Sequence, residues 1–384
     1  MSVVERARRV LPGGNTRTTL FVPPHPPYAV RGEGAIVTDH TGHRVVDCNN
    51  NYTSLIHGHA RPEVLEAAFE AARGGTAFGL PTASEVALAE HLRDRTGIEQ
   101  WRFCNSGTEA VLMLLRAARA HTGRELIVRF EGSYHGTGDA VVSPGAPGVV
   151  PGSVLVLPQN DLPALRAAMR DHGDRVAAVL IDLMPNRAGL TPADPAYVAE
   201  LDALTRQHGA LFAVDEVITF RLHEGGLHQR YGIRPDLVSV GKVIGGGFPV
   251  GAVGGRAEVL SPFDPQTPDG VSWGGTFSAN PVTMSAGLTA LGLFGPAEIA
   301  ELNRRGDELR SRLRDAGVAV RGSGSLLRLM ATDTTKLWWS LYERGVLAGT
   351  NGLLALSTAM TPAHLDHVAD AVIATLRSDP AEHR

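Results

Sequence analysis

Six short, mainly apolar runs constrain this chain more than any other feature. They are WRFCN (101–105), LIVRF (126–130), SVLVL (153–157), VAAVLIDL (176–183), ALFAVDEV (210–217) and DLVSVG (236–241). A strand with one wet face alternates apolar and polar residues; these runs do not, so both faces are buried. Between several of them lie segments with helical spacing, such as EAVLMLLRAARAH (109–121) and PAYVAELDALTRQHG (195–209). Strand–helix alternation of this kind predicts an α/β fold with a mostly parallel sheet covered by helices. In such sheets ligands bind beyond the carboxyl ends of the strands.

The pattern changes after about residue 285. Helical stretches SAGLTALGLF and PAEIAELNRRGDELRSRLRDAG lead to short strands near VAVRG, LLRLMAT and LLALS, and a final helix spans PAHLDHVADAVIATLRS (362–378). We read a large domain over 46–285 and a smaller α+β domain over 286–384. Residues 1–45, with a hairpin at YAVRGEGAIVTDHTGHRVVD, join the small domain or reach a partner. A chain of 384 residues is long enough for such a division. The net charge of −4 gives no general attraction to nucleic acid or an anionic membrane. Two cysteines, Cys48 and Cys104, make no disulfide framework. The start carries no apolar leader, and no apolar run reaches the roughly 18 residues of a membrane span. A cytoplasmic protein is expected.

The residues that follow the strands carry the chemistry. Only two of the 36 basic residues are lysines, Lys242 and Lys336. An arginine-rich composition explains their scarcity, but not why Lys242 stands in SVGKVIGGGFPVGAVGG (239–255). The first run is followed by Asn105-Ser106-Gly107-Thr108-Glu109, a glycine turn at a helix start that suits a phosphate or is a plain N-cap. The second is followed by Tyr134 and His135, the fifth ends in Asp215 and Glu216, and the sixth in Lys242. Each has an ordinary reading as a turn, a helix cap or a lysine reaching for water. Together they match what pyridoxal 5'-phosphate requires: an amine, an anion for the ring nitrogen, a ring-stacking side chain and a phosphate anchor. Apolar neighbours would favour a nucleophilic amine at Lys242, and the glycines after it would let backbone approach the cofactor. A Walker loop is excluded because Val243 follows the Gly-Lys pair, and no Rossmann glycine fingerprint is present.

NSGTEA (105–110), YHG (134–136), DEV (215–217), GKVIGGGFPVGAVGG (241–255) and GGTFSANP (274–281) resemble the class III aminotransferases, which are fold-type I pyridoxal-phosphate enzymes. The resemblance covers nearly the whole chain. It implies a large domain with a seven-stranded sheet and a small domain built from both chain ends. It also implies that Lys242 forms the internal aldimine and shuttles a proton, and that Asp215 pairs with the ring nitrogen. Ser106, Gly107 and Thr108 would hold the phosphate and Tyr134 would stack on the ring, with His135 and Val217 as further cofactor contacts. Thr276 would reach the phosphate of the neighbouring subunit in a homodimer.

Within that family the chain is similar to the β-phenylalanine type of aminotransferase and to the glutamate-1-semialdehyde aminomutases. LPGGNTRTTLF (11–21) places Arg17 where the former binds a substrate carboxylate. Tyr52 and Asn186 complete the expected substrate residues. The implied reaction passes an amino group from a β-amino acid, or a related amino-carboxylate, to an oxo acid or aldehyde by way of pyridoxamine phosphate. The alternatives are an aminomutase and a pyridoxal-phosphate decarboxylase or cyclising enzyme. Two departures stand out: Asp182-Leu183-Met184-Pro185-Asn186-Arg187 replaces the usual Glu-Pro-x-Gln segment, and Asn351 stands where the β-phenylalanine group has an arginine. His57 and His59 lack the further ligands a metal needs, so no metal site is expected.

Overall fold

The computed structural model describes residues 1–143, 145–150 and 152–377. The chain divides into two compact units, one of Met1–Arg61 with the chain from Glu301 onward, the other of Pro62–Ala300. These junctions lie beyond the expected 45/46 and 285/286. The reason is visible in the first unit. Its strands β1 (Ala29–Glu33), β2 (Ile36–Asp39) and β3 (Arg44–Asp47) form an antiparallel meander. Immediately past β3, Cys48 O accepts from Ala355 N at 2.7 Å, and Gly34 exchanges two backbone hydrogen bonds with His59. Residues up to 61 are thereby tied to the same unit as β1.

The second unit holds a seven-stranded sheet. Its strands are β4 (Gln100–Cys104), β5 (Leu126–Phe130), β6 (Val154–Leu157), β7 (Val176–Ile181), β8 (Leu211–Asp215), β9 (Leu237–Gly241) and β10 (Gly251–Gly255), in the order β4-β10-β9-β8-β7-β5-β6. All pairings among β5 to β9 are parallel, and β10 runs antiparallel to both its neighbours. Every residue of β5, β7, β8 and β9 is buried, as the unalternating runs required. The strand β10 was not among the six expected: GAVGG has too little side chain to give a strand pattern. It forms because the sheet supplies partners on both edges.

Helix Gly107–Thr122 covers this sheet. Ser106 caps its start, accepting from Glu109 N at 3.2 Å, and Gly123 at φ 67° ends it. Met113, Leu114 and Leu115 are buried in the core that it shares with β5, β7 and β8. Each contributes about 1.5–3 kcal/mol by leaving water.

The remaining strands return to the first unit. β11 (Val320–Ser323), β12 (Leu326–Leu329) and β14 (Leu353–Ala355) form a three-stranded antiparallel sheet, and β13 (Val346–Leu347) pairs parallel to β3. One sheet thus contains both ends of the chain. The last helix is Pro362–Arg377; Ser378, expected within it, lies outside the described residues. No single helix among the described residues is long and apolar enough to cross a membrane.

Candidate active site

The carboxyl ends of β4, β5, β7, β8 and β9 carry the polar residues singled out from the sequence. Asp215 ends β8 and is 4% exposed. Burying a carboxyl costs several kcal/mol unless donors replace the lost water. Three do so here. Oδ1 accepts from Val217 N and from Ser239 Oγ, both at 3.0 Å, and Oδ2 lies 2.7 Å from His135 Nδ1. Ser239 faces Asp215 directly in the β8–β9 register. His135 is itself buried, and its Nε2 has no hydrogen-bond partner among the described residues. Ser133 Oγ, on the other side of Tyr134, is also buried without a partner.

Asp182, just past β7, is a second buried carboxyl. Burial and then the nearby Asp215 push it up to about 7, against the N–H of Met184, which donates at 2.9 Å. Glu216 is fully buried for a different reason. It accepts from the N–H groups of Leu227 and His228 at 3.0 and 2.7 Å, and from Thr219 Oγ1 at 2.6 Å, so it ties down the loop over 217–228.

Lys242 follows β9 and is half-buried. Its φ of 53° is a left-handed value that costs a non-glycine residue about 1 kcal/mol. Such strain persists where the surroundings over-determine it, as at functional sites. Two of the glycines after it have a packing role. A Cβ at Gly245 would lie 2.5 Å from Val250 Cγ1, one at Gly246 would lie 2.6 Å from Ala286 O, and one at Gly287 would lie 2.1 Å from Ile244 O. The missing side chains let the Lys242 turn press against β10 and the helix Pro281–Gly292. They serve protein packing.

The Ser106–Thr108 turn is drawn in by the same device. A Cβ at Gly107 would meet Val217 Cγ1 at 3.0 Å, one at Gly136 would meet Thr108 Oγ1 at 2.6 Å, and one at Gly251 would meet Ser106 O at 2.0 Å. Ser106, Gly107, Thr108, His135, Asp215 and Val217 are thus linked by contact within the second unit, and Gly241, next to Lys242, lies against Gly107. Tyr134, beside His135, is 38% exposed, and the Arg187 guanidinium lies over its ring, 4.0 Å from the centroid. Asn186 is buried in the same loop as Arg187. Thr276 is exposed, in a segment held to the phosphate turn by Asn105 Nδ2, which donates to Ser278 Oγ at 3.4 Å.

The donor set fits pyridoxal phosphate. It offers an amine, an anion fixed by three donors, a helix N-terminus free of side-chain bulk at Gly107, and two unpartnered buried atoms flanking an exposed aromatic ring. Lys242 would carry the aldehyde, Asp215 the ring nitrogen, Tyr134 the ring face, and the Ser106–Thr108 turn the phosphate.

The expected substrate residues Arg17 and Tyr52 form a cluster in the first unit. Arg17 Nη1 donates to Asn51 Oδ1 at 2.6 Å, and its guanidinium lies 5.8 Å from the Tyr52 ring centre. Tyr52 Oη donates to Thr19 O at 2.5 Å and lies 2.9 Å from Thr350 Oγ1. Asn50, Asn51, Tyr52 and Thr53 all have φ between 48° and 76°, so they form a left-handed turn of non-glycine residues. His57 and His59 meet Thr358 and Asp47, at 2.9 and 2.7 Å.

Sequence reasoning missed Ser239, although it begins the quoted lysine stretch, because only the β8–β9 pairing turns a buried serine into a ligand of Asp215. It also missed Asn51, whose signal is its place in the polar run DCNNNYTS.

Comparison with known proteins follows the same lines. The family model described as aminotransferase class III matches residues 22–376. A β-phenylalanine transaminase from Variovorax paradoxus is 39% identical, over 96% of this chain and 90% of its own. A glutamate-1-semialdehyde 2,1-aminomutase from Thermomicrobium roseum is 42% identical, over 85% of this chain and 82% of its own. The solved structure of an ω-transaminase from Sphaerobacter thermophilus matches with a TM-score of 0.94 at 43% identity, covering 98% and 96% of the two chains.

Proposed function

The chain belongs to the class III aminotransferases, which use pyridoxal 5'-phosphate, and on that premise we propose that it deaminates a β-amino acid or related amino-carboxylate and delivers the nitrogen to an oxo acid or aldehyde. One observation carries this reading: a strained lysine at the end of β9 beside a buried carboxylate gripped by His135, Ser239 and Val217 N. When bound, the cofactor supplies an aldehyde for amine exchange and a ring that accepts an electron pair. The protein supplies the rest. Lys242 Nζ would take the proton from the substrate carbon and pass it to the cofactor carbon that carried the aldehyde. Asp215, held from three sides, is fixed in position to pair with the ring nitrogen. Tyr134 and Val217 exclude water from the ring faces. The N–H groups of the Ser106–Thr108 turn anchor the phosphate.

Arg17, steadied by Asn51 and Tyr52, would bind the substrate carboxylate in two-pronged fashion, with Asn186 as a further polar contact. A homodimer in which Thr276 reaches the neighbouring phosphate is supported by the apolar surface of the second unit, where Phe78, Leu80 and Phe277 are 52%, 77% and 63% exposed. Two buried, unpaired thiols suit a reducing, cytosolic setting.

The test is the visible absorption of the holoenzyme with α-, β- and ω-amino donors. Bleaching by β-amino donors without added acceptor is expected, with colour restored by an oxo acid. A persistent band with every donor overturns the reading. The aminomutase relatives favour one alternative: an enzyme that yields isomerised product with no acceptor at all.

A further inference from the structure

The loop that carries Arg17 is held by its carbonyl oxygens, and the grips come from elsewhere in the first unit. Tyr28 Oη donates to Gly14 O and Trp339 Nε1 to Pro23 O, each at 2.7 Å. Between these two anchors the grip falls on Thr19 O, which accepts from Tyr52 Oη at 2.5 Å and from Thr350 Oγ1 at 3.1 Å. The two hydroxyl oxygens also lie 2.9 Å apart. Three oxygens thus share two protons in a closed triangle, and the carbonyl has a lone pair for each donor. All of these residues belong to the first unit.

Both donors are themselves fixed. Thr350 stands on the turn between β13 and β14, where Gly349 N donates to Leu353 O and Gly352 N to Gly349 O, each at 2.8 Å. Asn351 closes the same turn, its Oδ1 accepting from Leu353 N at 3.3 Å. Tyr52 stands on the left-handed turn over 50–53. Asp47 Oδ1 caps that turn by accepting from Asn49 N and Asn50 N, both at 2.8 Å. Asp47 is buried, and its other oxygen meets His59 Nε2 at 2.7 Å. Arg17, by contrast, is exposed, and so is Asn51, to which its side chain donates. An exposed arginine gives up rotamer freedom when it binds a ligand. Anchoring its backbone two residues away removes part of that loss in advance.

We infer that Thr350 is a positioning residue for carboxylate recognition: with Tyr52 it holds the Thr19 carbonyl, and so fixes the backbone from which Arg17 reaches the substrate. This rests on the transaminase reading, in which Arg17 takes the substrate carboxylate. Thr350 acts through the loop and not on the substrate.

The test is binding of 3-phenylpropionate, an unreactive monocarboxylate, to the holoenzyme by titration calorimetry. Thr350→Val keeps the shape of the side chain, removes the hydroxyl and should weaken binding about threefold to tenfold. Thr350→Ser keeps the hydroxyl and should stay within about twofold of the parent. In an Arg17→Ala background Thr350→Val should have no further effect, because the loop then carries nothing to aim. Unchanged binding in Thr350→Val, or a loss in Thr350→Ser as large as that in Thr350→Val, would overturn the inference. So would an equal loss with and without Arg17, which would mean that Thr350 acts on the fold at large. Arg17→Ala separates this inference from the reading beneath it. If that variant weakens binding and Thr350→Val does not, only the role of Thr350 fails. If Arg17→Ala binds like the parent, the carboxylate assignment of Arg17 fails and takes the inference with it.

Discussion

At the scale of single residues, the site depends on side chains that never touch substrate. Ser239 is completely buried and gives its hydroxyl to Asp215. A hydrogen bond to a charged group contributes about 1.5–3 kcal/mol. Ser239→Ala should therefore weaken cofactor binding about tenfold or more, and should also lower the Tm of the cofactor-free protein because buried Asp215 loses one of its three donors. Equal cofactor affinity in the two proteins would remove Ser239 from the site. Asp182 makes a different prediction. It is pushed from the ordinary 3.8 up to about 7, so the folded protein holds this proton more tightly than the unfolded chain. Its stabilising contribution is complete below about pH 3.8 and is lost as pH rises through about 7. Asp182→Asn cannot titrate and should flatten the fall in Tm between about pH 4 and 7. Parallel Tm profiles for the two proteins would contradict this.

At the scale of elements, the glycines decide how closely segments meet. Lys242, Asp215 and the Ser106 turn were legible because each stands where a recognisable apolar run ends. The strand β10 was not, because its glycines carry no pattern; they matter only through what lies opposite. Gly251 is the sharpest case, since any Cβ there would enter the carbonyl of Ser106. Gly251→Ala should destabilise the protein by about 1–3 kcal/mol and loosen the cofactor, because it displaces the phosphate turn. Urea melts with a parallel measurement of cofactor release check both halves. A variant with parental stability would show that the turn moves freely.

At the scale of the whole molecule, the exposed Phe78, Leu80 and Phe277 lead to an association prediction. If the proposed homodimer uses this surface, Phe277→Glu should shift the protein from dimer to monomer in sedimentation, with loss of activity that exceeds any loss of Tm. Persistence of the dimer would place its interface elsewhere. The sequence by itself determined the α/β class, the covered parallel sheet, the cofactor and the main residues at the strand ends. Periodicity and strand-end chemistry are local, and local pattern is what a sequence displays. Tertiary structure alone decided which of those residues meet. Ser239 and Asp215 are 24 positions apart and His135 and Asp215 are 80 apart, and only strand pairing joins them. It also decided that the glycines after Lys242 pack against protein and that Arg187 lies on Tyr134. Such contacts depend on register and backbone spacing across the sheet and its loops, which no stretch of sequence encodes on its own.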